Sequence, residues 1–235
     1  MTVQELHYQF KLSKDRVDTL SNQDFNPAEI DWFLNEAQLV YVKRQYDNTF
    51  ETNERISKAL SNLVVKKEEQ GDLVPTNLNG VYELPLSLLK YPHLYIISGT
   101  AKVMSGTCTS TVVLKPISHD DYLDALRDPF NRSSKEHLLY NYGKSSETAM
   151  ATSMYMYPTI PSTVESVQLE YIKYPSRISI GTYTYIDGIT YPPTTSELNE
   201  QSHVEIVDLA VVIASMNIES PEYIQLKTAK LGLAG

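Results

Sequence analysis

Asn26-Pro-Ala-Glu-Ile-Asp-Trp-Phe-Leu-Asn-Glu-Ala-Gln-Leu-Val-Tyr-Val-Lys-Arg-Gln-Tyr46 carries the best-marked helix of this chain. Asn26 suits an N-cap, Pro27 the first helical position, and Glu29 the positive first turn. Ile30, Phe33, Ala37 and Val40 recur at helical spacing, and Leu34 and Tyr41 widen the apolar face. The stretch therefore predicts an amphipathic helix over 27–46, and it carries no arrangement of catalytic groups.

Helices are expected on both sides of it. Val3, Leu6, Phe10 and Val17 predict a first helix over 3–20, with Ser21 to Phe25 as a turn. Asn53 opens a third expected helix over 53–68, with Ile56, Leu60, Leu63 and Val64 as its stripe and Lys66-Lys67 in its last turn. Gly71 closes this helical region, 1–71. Three helices on short turns imply a bundle or layer.

The texture then changes. Residues 72–195 hold ten of the 12 prolines, and 13 of the 17 tyrosines lie between Tyr82 and Tyr191. Strand content explains that enrichment, and extensive protein contact enriches the same residue. Strands are expected at Gly80–Leu84, Leu94–Lys102, Ser110–Pro116 and Val164–Tyr174. In the last, Val167, Leu169 and Tyr171 share the more apolar face. Asp187-Gly188, between Ile178–Ile186 and Ile189–Tyr191, signals a hairpin. A short helix is expected at His119–Arg127, and the Ser-rich stretch 131–153 reads as an exposed loop or arm. In the C-terminal region, 196–235, Glu205–Ala214 is too apolar for an exposed helix and should pack on the helical region. Ser220-Pro221-Glu222 starts a shorter helix, and Leu231–Gly235 should fray. The fold class is α+β: a helical layer, a central antiparallel β region with a long loop or arm, and a returning helix, together one composite domain.

Composition narrows the function. The net charge is −9, and residues 196–235 are the most acidic for their length, with 2 Lys/Arg against 6 Asp/Glu. That balance argues against tight binding of a nucleic-acid backbone, though not against DNA sliding past an acidic wall. No apolar run has membrane-spanning length, and Met-Thr-Val-Gln-Glu-Leu-His-Tyr lacks a signal peptide's basic start and apolar core. The single cysteine, Cys108, leaves no internal disulfide and fits a reducing compartment.

Chemical motifs are sparse. No Gly-rich phosphate loop or dinucleotide fingerprint is present, and no cofactor is implied. His7, His93, His119, His137 and His203 lie far apart, with no metal-ligand spacing. His119-Asp120-Asp121, followed by Asp124 and Asp128, is the most enzyme-like feature. Helix-start chemistry explains it without a ligand, with Ser118 as N-cap and Asp120 and Asp121 favoured by the helix dipole, and is the preferred reading. Cys108, in Ser-Gly-Thr-Cys-Thr-Ser-Thr, has neither base nor cation nearby in sequence. No catalytic, metal or cofactor-binding residue is assigned.

Three stretches carry a resemblance: Glu29-Ile-Asp-Trp-Phe-Leu-Asn-Glu-Ala-Gln38, Leu169-Glu-Tyr-Ile-Lys-Tyr-Pro175, and Glu205-Ile-Val-Asp-Leu-Ala-Val-Val-Ile-Ala214 preceded by Glu200-Gln-Ser-His203. With Asp128-Pro-Phe-Asn131, the chain resembles the head–tail connector proteins of short-tailed bacteriophages, also called adaptor, tail-tube or ring proteins, of the kind found in phages of gut bacteria. The resemblance implies a non-enzymatic virion protein of the neck or tail, assembled in the host cytoplasm. Its copies would form a ring, commonly a dodecamer, beneath the portal. The ring would join the portal to adjoining tail proteins and surround the channel through which the genome leaves. Ile30, Trp32, Phe33, Tyr41, Leu169, Tyr171, Tyr174, Ile206, Leu209 and Val212 are the expected packing and assembly residues. Another tail ring or a stopper is the nearest alternative. A small hydrolase using His119, or a sugar-binding β domain, belongs to a different class.

Overall fold

The computed structural model describes residues 1–17, 25–47, 59–145, 152–159, 162–181, 183–184 and 188–217. The chain divides into two compact units, Met1–Leu63 with Pro175–Gly235, and Val64–Tyr174.

The first unit is built on α1 (Val3–Val17), α2 (Pro27–Asp47) and, near the end of the chain, α5 (Glu200–Asn217). α1 starts with a reciprocal capping box: the Glu5 amide donates to Thr2 Oγ1 and the Thr2 amide to Glu5 Oε2. At α2 the Asn26 amide donates to Glu29 Oε2 at 2.8 Å. The expected stripe of α2 is buried at Ile30, Phe33, Leu34, Ala37 and Tyr41, while Val40 is exposed and Val42 buried in its place. Phe10, Phe25 and Phe33 pack as a triangle, Phe33 at centroid distances of 6.2 and 5.2 Å from the other two, which are 6.0 Å apart. On α5, Ile206, Val207, Ala210, Val211 and Ala214 are buried at helical spacing, and the helix packs on α1 and α2. The C-terminal helix thus returns to the helical layer. The short helix expected from Ser220 and the fraying tail lie outside the described residues.

A second face of α2 is polar, with Asp31 and Gln38 buried and Asn35 half-buried. Asp31, Asn35 and Gln38, spaced i, i+4 and i+7, hold the returning chain by its backbone. Asn35 Oδ1 accepts the Ile178 amide and its Nδ2 donates to the Ile178 carbonyl, both at 2.8 Å. Gln38 Nε2 donates to the Ser176 carbonyl, and Asp31 Oδ2 accepts the Ile180 amide. The hairpin expected around Asp187-Gly188 falls partly outside the described residues, its turn among them. In the described residues this stretch makes an antiparallel bridge, Ser179–Thr194, while the alternate residues Ile178 and Ile180 turn their backbone groups to side chains of α2. Tyr185–Asp187 lie outside the described residues.

The second unit is an eight-stranded sheet in the order β1-β8-β4-β5-β6-β7-β3-β2. Its strands are β1 (Val64–Val65), β2 (Thr76–Leu78), β3 (Val81–Pro85), β4 (His93–Ser105), β5 (Cys108–Pro116), β6 (His137–Lys144), β7 (Thr152–Tyr157) and β8 (Ser162–Lys173), with short helices α3 (Lys67–Gln70) and α4 (Tyr122–Arg127). The sheet is mixed rather than wholly antiparallel: β5 and β6 run parallel, joined by the crossover that contains α4. Three register shifts along the β4–β8 ladder increase local twist, and the sheet curls around its own core. That core includes Leu84, Leu114, Leu138, Met154, Met156, Val167, Leu169 and Tyr171. Gly99 permits the tight packing at the bend, since a Cβ there would lie 2.6 Å from Leu114 Cδ1 and 2.8 Å from Leu169 Cδ2.

Two further expectations are corrected. The third helix does not run to residue 68. Residues 51–58 lie outside the described set, but Ser61–Leu63 is a 3-10 turn, and Val64 and Val65 pair with Ile172 and Tyr171. Two adjacent β-branched residues beside an open strand edge favour pairing over helix. Nor is 131–153 an exposed arm. His137–Lys144 is an interior strand with Leu138–Asn141 all buried, paired with β5 and β7. Burial on both faces removes the alternation by which a strand is read.

Candidate functional site

The expected packing residues separate by exposure. Ile30, Phe33, Tyr41 and Ile206 belong to the core of the helical unit, and Leu169 and Tyr171 to that of the sheet. Leu209 and Val212 are half-buried. Trp32 and Tyr174 stay exposed, at 44% and 48%. Burial holds the Tyr41 phenol above its ordinary pKa, and Tyr41 Oη lies 2.9 Å from Ser202 Oγ, joining α2 to α5.

The acidic cluster at His119 is explained by turn chemistry. Ser118 Oγ donates to Asp121 Oδ2 and accepts the Asp121 amide, closing the turn before α4. Asp128 accepts the Phe130 amide and the Asn131 side-chain amide, and these bonds lower its carboxyl pKa. Among the described residues no group of three or more His, Cys, Asp or Glu is placed to hold a metal ion. No described helix is long and apolar enough to cross a membrane.

Two surface features remain. On α2, Trp32, Leu39, Val40 and Lys43 fall within about 100° of the helix circumference. Trp32, Val40 and Lys43 are exposed, and Leu39 is half-buried. The Trp32 ring packs edge-on to Phe33 at 5.1 Å, which orients the indole.

The second is a cleft of about 360 Å³ at one end of the sheet. Its floor is Val103 and Ser105 of β4, Ser110 of β5 and Leu138 of β6; its walls are Pro129, Arg132–Lys135, Pro158, Thr159 and Ser162. The cleft exists because β5 and β6 diverge. β5 pairs with β4 from Cys108 onward, but its pairing with β6 begins only at Val113.

Ser133 fixes the cationic wall. Its hydroxyl donates to the Tyr157 carbonyl and accepts the Leu139 amide at 3.0 Å, while its carbonyl accepts Thr159 Oγ1. The wall is thereby tied to β6 and β7. Sequence reading missed this residue because a buried serine in a polar run leaves no pattern. The Thr2-x-x-Glu5 box and the Asn79-Gly80 turn, with φ of 54° and 93°, did carry readable signals.

The matching family model is described as phage tail ring protein 3/4, and it covers residues 1–222 of this chain. The chain belongs to that family, and so is a structural component of a phage tail ring. No curated protein matches it.

Proposed function

We propose that copies of this chain close into a ring, a dodecamer, in the neck of the virion. The ring joins the portal to the next tail component and leaves an axial channel for the genome. The family match over residues 1–222 carries the reading. Exposed Trp32 and Val40 on α2 support it, since large apolar side chains oriented by packing suit the side-by-side contact of neighbouring copies. The role is non-enzymatic: the bonds of Ser118, Asp121 and Asp128 serve local turns. The −9 balance suits a channel wall that lets DNA slide, and a lumen lined mainly by Lys and Arg would overturn that element.

Native mass spectrometry of the full chain, alone and mixed with the portal complex of the same phage, tests the reading. A closed ring, or many copies added to the portal, is the expected result and gives the symmetry. A chain that stays monomeric and ignores the portal overturns it.

A further inference from the structure

Among the described residues, the outer edge of β5 is open beside the cleft. The Val113 amide donates to the Glu136 carbonyl at 3.1 Å, which sets the direction in which alternate residues of β5 face. By strand alternation, Thr111 and Thr109 aim their amides and carbonyls the same way. β6 does not reach them: its first partner on β5 is Val113. Both threonines are exposed and flank Ser110, which lines the cleft.

The charge there is one-sided. Among the described residues, Arg132 and Lys135 line the cleft, no carboxylate does, and neither cation has an ion pair. The acidity of the chain lies elsewhere. Residues 1–63 with 175–235 carry 10 Lys/Arg and 17 Asp/Glu, and residues 64–174 carry 10 and 12. A ring places the same two unlike surfaces against each other at every junction, so a cationic receptor on one unit and an excess of carboxylates on the other are complementary between copies.

We infer that the open edge of β5 and the Arg132–Lys135 cleft form the receptor for an extended acidic segment of the helical unit of the adjacent copy. The segment adds as a strand beside Thr109–Thr111, and its carboxylates meet Arg132 and Lys135. Backbone pairing supplies affinity, and the cleft selects charge and register. The pinning of the wall by Ser133 means that little ordering is needed on docking. This inference rests on the ring reading above.

The test uses the full chain under conditions in which the wild type assembles. Thr111→Pro removes one outward amide without removing a ladder bond, and Arg132→Glu/Lys135→Glu reverses the cleft. Each should lower the ring fraction in native mass spectrometry at least tenfold. The control Lys115→Glu/Arg127→Glu should assemble normally. In the wild type, the amides of Thr109 and Thr111 should exchange hydrogen at least tenfold more slowly in the ring than in the monomer. Carbodiimide coupling of mixed ¹⁴N and ¹⁵N copies should link Lys135 to a carboxylate within 1–63 or 175–235 of another copy.

Unchanged exchange at both threonines overturns the inference whatever the variants do. So does linkage of Lys135 to a different protein. In either case a ring that still forms leaves the ring reading standing. Failure of the wild type to assemble, with or without the portal, overturns the ring reading and this inference with it.

Discussion

His7 Nε2 lies 2.6 Å from Asp31 Oδ1, with both side chains buried, and this bond ties α1 to α2. The other carboxylate oxygen of Asp31 accepts the Ile180 amide and the Tyr183 hydroxyl. One side chain therefore closes three separate segments of the helical unit. Asp31→Ala leaves three donors without their acceptor and should cost about 3 kcal/mol, read as a lower urea midpoint for that unit. A cycle with His7→Ala should show coupling, because the two substitutions remove the same bond.

Ser133→Ala should cost about 2 kcal/mol, because the Leu139 amide and the Tyr157 carbonyl are both left without this partner. Hydrogen exchange should quicken at Leu139 and across 129–135. If the change is confined to a distant strand, Ser133 is not what holds the wall.

Deleting Lys135–Ala149 removes β6, which lies between β5 and β7. Read as an exposed arm, that stretch would be dispensable for folding. As an interior strand with four consecutive buried residues, it is not. The deleted chain should lose the cooperative unfolding of the sheet unit and expose apolar surface to dye.

Trp32→Glu should change stability by only about 1 kcal/mol, the scale of the edge-on contact with Phe33. Assembly should fall sharply, since a carboxylate would be buried wherever copies meet across this face. Sedimentation velocity at matched concentration separates the two effects. A variant that assembles like the wild type places the ring contact on another surface.

His203 gives a pH dependence. Its Nε2 donates to the Leu198 carbonyl at 3.1 Å, and its Nδ1 is buried with no hydrogen-bond partner among the described residues. Burial holds the imidazole below its ordinary pKa. The unfolded chain then takes up the proton first, at about pH 6.5, so stability is full above that value and falls as pH drops toward the folded pKa. The urea midpoint of the helical unit should fall between pH 7.5 and 5.5, and His203→Gln should flatten that slope. His93, also held low by burial, gives the sheet unit the same direction.

Helices α1 and α2 were legible from apolar residues at helical spacing, and α5 from a run too apolar for an exposed helix, and these signals are local. β8 was legible for the same reason: Val167, Leu169 and Tyr171 are all fully buried on the face that their alternation indicated. β6 was not, since a strand covered on both sides has no alternation to read. The polar stripe Asp31, Asn35 and Gln38 has helical spacing too, but an unpaired polar stripe reads as solvent-facing. Only the return of residues 176–180 to α2 gives those side chains partners.

Residue order and composition were enough to give helices α1, α2 and α5, strands β4, β5 and β8, the acidic excess of the helical segments and the likeness to ring proteins, because these signals are local. The tertiary structure alone decided where a surface is left unpaired. The open edge of β5 arises because β6 joins it only at Val113, and the cleft beside it because Ser133 ties a distant turn to β6 and β7. Both depend on contacts between residues far apart in the chain, and no local pattern encodes such contacts.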